Sequence, residues 1–226
     1  RRGMPIMKNI VILGSSGHAK VIADIIEKEG LYKILGLIDT NQPSGTKCFG
    51  YEILGSDDEL PQLIKKHDVE GGIIGVGDNW IRHLITHKIL KLIPGFNFVK
   101  AIHPSAQITR QVSLKRGTVI MAGAVINSGS EVGEFCIINT QSSIDHDNIF
   151  EDYSSIMPNA GTGGNVRVGM FSVLGMGVSI LQKVQIGAHS VIGAGSVVLK
   201  DVSDNSVVYG SPARWQKPRK VGEPYL

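Results

Sequence analysis

The segment that decides the fold is Ile120–Phe150, "IMAGAVINSGSEVGEFCIINTQSSIDHDNIF". Ile120, Ile126, Val132, Ile138, Ile144 and Phe150 recur every sixth position. Four residues after each comes a small residue, as at Ala124, Ser130, Cys136, Ser142 and Asn148. The same beat runs from Ile102 to Val198 without an insertion, broken only by Thr162. An α-helix repeats at 3.6 residues and a half-buried strand at two, so neither accounts for six. A six-residue period is that of a parallel β-helix, in which short strands meet at corners and each hexad forms one side. The apolar position and the small one four later then point inward. The remaining positions reach outward or sit at turns.

Ahead of the repeat the pattern differs. "NIVIL" (Asn9–Leu13) reads as a buried strand, followed by the turn "GSSGHA" and a helix in which Val21, Ile22, Ile25 and Ile26 share a face before Gly30 stops it. "KILGLID" is a second strand ending at Asp39, and a Pro/Gly loop leads to "YEIL". Ser56 and Glu59 form a capping box for the next helix. "GGIIGVG" is a third strand, Asp78 caps "NWIRHLITHKILKLI", and "FNFVKAI" closes the half. Strand–helix alternation argues a small parallel sheet with nucleotide-binding geometry. The expected organisation is a Rossmann-like α/β domain over 7–101, an all-β helix over 102–210, and a C-terminal tail over 211–226.

The chain has 226 residues, is 42 % hydrophobic and carries a formal charge of +3. That is enough to bury a large core and too little dispersed charge to imply nucleic acid. No apolar run approaches the ~20 residues of a spanning helix, and no signal peptide is expected. "RRGMPI" ahead of Met7 reads as an expression scar or a ragged start. Two cysteines, Cys48 and Cys136, have no metal or redox spacing, which fits a reducing cytoplasm. Cations concentrate in "ARWQKPRK", readable as a solvated tail or an anion-binding one.

"GSSGHA" follows a strand and opens a helix, placing backbone N–H groups and the helix dipole where a phosphate would sit. Only Gly14 and Gly17 are present, without the middle glycine of a dinucleotide fingerprint, so a nicotinamide cofactor is not expected. "IDHDNIF" puts His146 between two aspartates, at an outward position of its hexad.

The hexads, the closing "VVYGSPARW", and the N-terminal "IVILGSSGHAKVIADII", "GLID" and "IIGVGDN" together resemble the bacterial hexapeptide-repeat sugar acetyltransferases, the group of sialic-acid O-acetyltransferases and bacillosamine-pathway N-acetyltransferases. The resemblance implies a left-handed parallel β-helix, a homotrimer, acetyl-CoA between neighbouring coils, and a nucleotide-sugar held by the N-terminal domain. Three hexads make one turn, so residues eighteen apart stack about 4.8 Å apart. Gly164 therefore lies one turn beyond His146, leaving room for a ligand beside the imidazole and an N–H for a developing oxyanion. Thr162 falls in the same patch. Histidine supplies a base near neutral pH. Asp147, where the family has an acidic residue, would fix its tautomer, while Asp145 reads as a corner residue.

By resemblance Ser155, Met176 and Ala194 line the cofactor groove with Gly164, and Ser16, Gly17, His18, Asp39, Thr40 and Gly77 meet the nucleotide-sugar. His67, His83, His87 and His189 are expected on solvated faces, and His103 at the first corner of the coil. The implied activity is acetyl-CoA-dependent N-acetylation of a nucleotide-linked amino-deoxysugar with His146 as general base. O-acetylation of a sugar hydroxyl such as a sialic acid is the alternative, and a non-enzymatic β-helix scaffold the rival. A metal-dependent hydratase would need histidines one coil away from His146, but Ser128 and Gly164 stand there, so no metal is expected.

Overall fold

The computed structural model describes residues 7–225; "RRGMPI", read above as a scar or ragged start, lies outside the described residues. Five strands open the chain: β1 (Lys8–Leu13), β2 (Tyr32–Ile38), β3 (Lys47–Cys48), β4 (Tyr51–Gly55) and β5 (Gly71–Ile74). They lie in the order β3-β4-β2-β1-β5, parallel throughout except for the β3–β4 hairpin. Helices α1 (Gly17–Glu29) and α2 (Leu60–His67) connect them, and α3 (Asn79–Leu92) leads from β5 to the coil. The central strands β1, β2 and β5 carry short continuous runs buried on both sides, as a helix-covered parallel sheet requires. The capping box forms, with Glu59 Oε2 accepting the Ser56 N–H at 2.7 Å, and a short 3-10 turn precedes α2.

From Ala101–Ile102 onward the chain winds as the left-handed parallel β-helix that the hexads require, each side a strand of two residues. Its first face carries six strands, stacking Ile126, Ile144, Thr162, Ile180 and Val198 in register. A second face of five strands stacks Val132, Phe150, Val168 and Ile186. The third face begins at Ala101–Ile102 and ends with an antiparallel hairpin, Ser206–Gly210 with Ala213–Pro218. The hexad side chains form one apolar column inside the prism. Ile102, Ile108 and Leu114 are only partly buried, because the first turn has no rung beneath it.

The N-terminal domain docks on the third face. Ala19, Ile22 and Ile26 of α1 share an apolar cluster with Ala101, Val119, Met121 and Ile137 of the coil. At the corner between the second and third faces Phe135, Tyr153, Phe171 and His189 stack at centroid spacings of 5.1, 5.1 and 4.7 Å, and α3 lies against them. Here the expectation of solvated histidines fails for His83 and His189, while His87 is exposed. His83 packs edge-on to Tyr153 and Phe171 and touches His87 at 4.3 Å, and burial lowers the pKa of both His83 and His189. Nor is the C-terminal segment solvated throughout. Arg219 is buried and donates to His189 O at 3.0 Å, while the Tyr225 hydroxyl accepts from Asn79 N–H at 3.0 Å and donates to Gly77 O at 3.1 Å.

Candidate active site

His146 stands two residues past the inward Ile144, on the corner between the first and second faces. From Ile108 to Ile192 each corner repeats one backbone device: the third residue after the inward apolar one adopts the left-handed region. Here that residue is Asp147, φ 56°. Aspartate enters this region more easily than bulkier residues. The device turns the carboxylate back, so that His146 Nδ1–H donates to Asp147 Oδ2 at 2.7 Å. A carboxylate only accepts, so the proton sits on Nδ1 and Nε2 keeps its lone pair. This bond, with the Asp145 and Asp147 charges beside it, raises the imidazole above its usual 6.5. Asp145 has a different task. Its Oδ1 accepts the His146 N–H at 2.8 Å and Asn127 Nδ2 at 3.1 Å, which holds its carboxyl below the usual range.

Gly164 lies directly over the ring. A Cβ placed there would fall 2.5 Å from His146 Nε2 and 2.6 Å from Cε1. The missing side chain thus accommodates the imidazole itself, which corrects the expectation that it leaves room for a ligand beside the ring. The adjacent Gly163 and Asn165 N–H groups bond to Ile180 O and His146 O; among the described residues no acceptor meets the Gly164 N–H. Gly164→Ala is expected to displace the imidazole and lower turnover by ~10²-fold, since misplacing a reacting group by about an ångström costs that much. Kinetics alongside a thermal melt check it.

The remaining expected residues divide. Met176 and Ala194 are exposed one turn apart on the corner between the third and first faces, with Gly195 N–H bonded to Met176 O. Ser155 is a correction: it is 3 % exposed, and its hydroxyl donates to Asn79 Oδ1 at 2.5 Å beneath α3. Docking of α3 on the third face removes it from any open groove. Thr162 points inward, and its buried Oγ1 has no partner.

At the glycine turn, Gly14 has φ 118°, a conformation that brings its N–H to Ile38 O at 2.8 Å. Ser15 Oγ donates to Asp39 Oδ2 at 2.5 Å, and Asp39 Oδ1 accepts the Asn41 N–H at 2.8 Å. Ser16 occupies the N-cap position of α1, yet its hydroxyl goes to Gly75 O at 3.3 Å, so no side chain caps the helix start at Ser16 and Gly17. Thr40 is exposed and accepts from Asp57 N–H at 3.5 Å. His18 is half-buried beside Gly77, and its buried Nε2 lacks a partner. Burial, then the charge of Arg82, pushes its pKa down to about 4. His18 is therefore neutral near pH 7. It offers a hydrogen bond to a ligand rather than a charge. No hydrogen bond among the described residues joins this turn to the His146 corner.

The sequence reading missed Arg82. It is 2 % exposed and has no carboxylate among its partners. Its Nε donates to Phe135 O at 2.9 Å, Nη1 to Gly77 O at 2.8 Å, and Nη2 to Asn79 Oδ1 at 2.7 Å. The signal was there in α3: its buried positions Asn79, Arg82, Thr86 and Ile89 follow helical spacing but are mostly polar, while Ile81 and Leu84 face outward.

Comparison with known proteins adds to this geometry. Residues 9–89 match the PglD N-terminal domain family. Over 118 residues the chain is 35 % identical to the UDP-N-acetylbacillosamine N-acetyltransferase of Bacillus subtilis (strain 168), a match spanning 51 % of this chain and 52 %, about half, of that protein. Among solved structures, PerB from Caulobacter crescentus in complex with CoA and GDP-perosamine is 33 % identical, with TM-score 0.86 over 92 % of this chain and 97 % of that one. The acetyltransferase domain of PglB from Neisseria gonorrhoeae FA1090, in complex with acetyl coenzyme A, is 30 % identical, with TM-score 0.84 over 93 % and 100 % of the two chains.

Proposed function

The chain belongs to the hexapeptide-repeat sugar N-acetyltransferases, and from that premise we propose that it moves the acetyl group of acetyl-CoA onto the amino group of a nucleotide-linked amino-deoxysugar. The observation that carries this reading is the exposed His146–Asp147 pair seated on the bare Gly164. The Bacillus and Caulobacter relatives are both N-acetyltransferases, which favours an amine over a hydroxyl as acceptor.

Acetyl-CoA supplies the activated acyl group. His146 Nε2 takes the proton from the amine as it attacks the thioester carbon. Asp147 stabilises the imidazolium through Nδ1. The Gly164 N–H donates to the carbonyl oxygen as it gains charge. When the carbon–sulfur bond breaks, His146 returns the proton to the thiolate, and CoA leaves as the thiol. Ser16, Gly17 and neutral His18 take the nucleotide-sugar phosphates at the uncapped start of α1, with Asp39, Thr40 and Gly77 bordering the nucleoside. No hydrogen bond among the described residues joins the glycine turn to the His146 corner, which supports a homotrimer whose neighbouring coils complete the site. Met176 and Ala194 of one protomer then face the base of the next across the acetyl-CoA groove. Among the described residues no helix is long and apolar enough to cross a membrane. The free cysteines Cys48 and Cys136 suit the cytoplasm, where the reading places the enzyme.

Incubation with acetyl-CoA and a panel of nucleotide 4-amino-sugars, scored by thiol release, tests the reaction. Release with none of them, together with no acetyl-CoA binding by calorimetry, overturns it. The base must be deprotonated to act, and its pKa is raised. Turnover is therefore expected to climb with pH along a limb above the ordinary histidine value of 6.5. Asp147→Asn removes the largest cause of that shift. It is expected to move the limb toward lower pH and to lower kcat by about 10-fold or more, as read from pH–rate profiles of both proteins.

A further inference from the structure

We propose that Asn148, sealed inside the coil, is a positioning residue that aims the Gly164 N–H and holds the His146 corner; the proposal rests on reading those two residues as the acetyl-transfer site. Asn148 occupies the small inward position that follows Ile144 and is 0 % exposed. At equivalent positions hydroxyls hold one carbonyl or two: Ser142 bonds Asn139 O at 2.7 Å, Ser130 bonds Asp145 O at 2.8 Å and Ser172 bonds Gly187 O at 2.5 Å, while Ser190 reaches Ala188 O and Ser203 O. The Asn148 amide does more. Its Nδ2 lies 2.9 Å from Asp145 O, 3.0 Å from His146 O and 2.9 Å from Gly163 O. These three carbonyls belong to the two stacked corners that carry the base and the glycine.

The bond to Gly163 O fixes a direction. A trans peptide points its C=O and its N–H to opposite sides. With the Gly163 carbonyl drawn toward the coil axis, the Gly164 N–H of the same peptide must point outward, to the side on which the imidazole lies. The bonds to Asp145 O and His146 O anchor the peptides on either side of the histidine in the same way. Asp145 O also accepts from Ser130 Oγ at 2.8 Å and His146 O from the Asn165 N–H at 3.0 Å, so Gly163 O is the carbonyl whose hold comes from Asn148 alone among the described residues.

Two buried atoms behind this site have no protein partner: Asn148 Oδ1 and Thr162 Oγ1. Both lie beside the apolar column of the coil. The threonine hydroxyl is a donor and the amide oxygen an acceptor, so the one polar residue in the stacked column is of the type that a single buried water links to Asn148.

Asn148→Ala tests the proposal, because alanine already fills this rung position at Ala124 and Ala160 and holds no carbonyl, whereas a serine could keep Gly163 O as Ser172 keeps Gly187 O. The variant is expected to stay folded in a thermal melt and to lose kcat by ~10- to 100-fold. KM for both substrates stays within about two-fold, since the lost interaction acts on the transition state. Amide hydrogen exchange is expected to quicken at Gly164 more than elsewhere in the coil. Thr162→Val, isosteric but without the hydroxyl, gives a smaller loss in the same direction, and Thr162→Ser restores it. A folded Asn148→Ala protein with parental kcat, or a loss carried by KM alone, overturns the assignment. If His146→Ala is inactive while Asn148→Ala is fully active, the base stands and Asn148 falls. If His146→Ala is fully active, the reading of the base falls, and unchanged exchange at Gly164 in Asn148→Ala would remove this proposal as well.

Discussion

His146→Ala is expected to lower kcat by ~10²- to 10⁴-fold, the range that a positioned general base contributes. The side chain is exposed, its only protein hydrogen bond among the described residues is to the adjacent Asp147, and it supports no core contact. The melting temperature and oligomeric state should therefore stay unchanged. What remains is the rate of an amine that must lose its proton to solvent. The rising limb of the pH profile should go with the base, leaving a slower rate governed by the amine's own ionisation. Thiol release across pH, with a thermal melt of the same preparation, checks both. Parental kinetics would exclude His146.

Arg82→Ala is expected to be the most destabilising single change in the chain, by at least about 3 kcal/mol, since hydrogen bonds to charged groups contribute about 1.5–3 each and buried acceptors left unmade cost more. The guanidinium joins Gly77 O in the N-terminal domain to Phe135 O in the coil, with Asn79 Oδ1 between them. Burial lowers its pKa, yet a guanidinium stays charged under all working conditions. Its cation is solvated entirely by protein dipoles. Lysine, with a point charge in place of a planar fork, reaches too few of these carbonyls to substitute. Denaturant titration should show a lower midpoint for Arg82→Ala and two separate transitions as the domain and the coil uncouple. A single transition at the parental midpoint would refute the clamp.

These two residues also mark what a sequence reveals. His146 was legible because a β-helix is locally periodic: once the beat is found, the face of every residue follows, as does its neighbour one turn on. The same logic placed Gly164 over the imidazole and singled out Thr162. Arg82 was not legible, because Phe135 O, Tyr153 O and Ser155 Oγ lie 53 and more residues away on the coil, and α3 has no repeat that says which part of the coil it covers. Ser155 failed for that reason too: the hexad gives its place on the third face but not the helix that covers it. Tyr225, bound to Gly77 across 148 residues of chain, gives no periodic signal at all.

Because Ile126, Ile144 and Thr162 superpose at intervals of one full turn, insertions and deletions in the coil are quantised. Removing eighteen residues shortens the prism by one storey and leaves each face continuous. Removing six would graft one face onto its neighbour and carry every outward residue above the cut round by a third of a revolution. A mutational scan of lengths should accordingly find survivors only at whole storeys, and none within the interval that separates the histidine from its glycine.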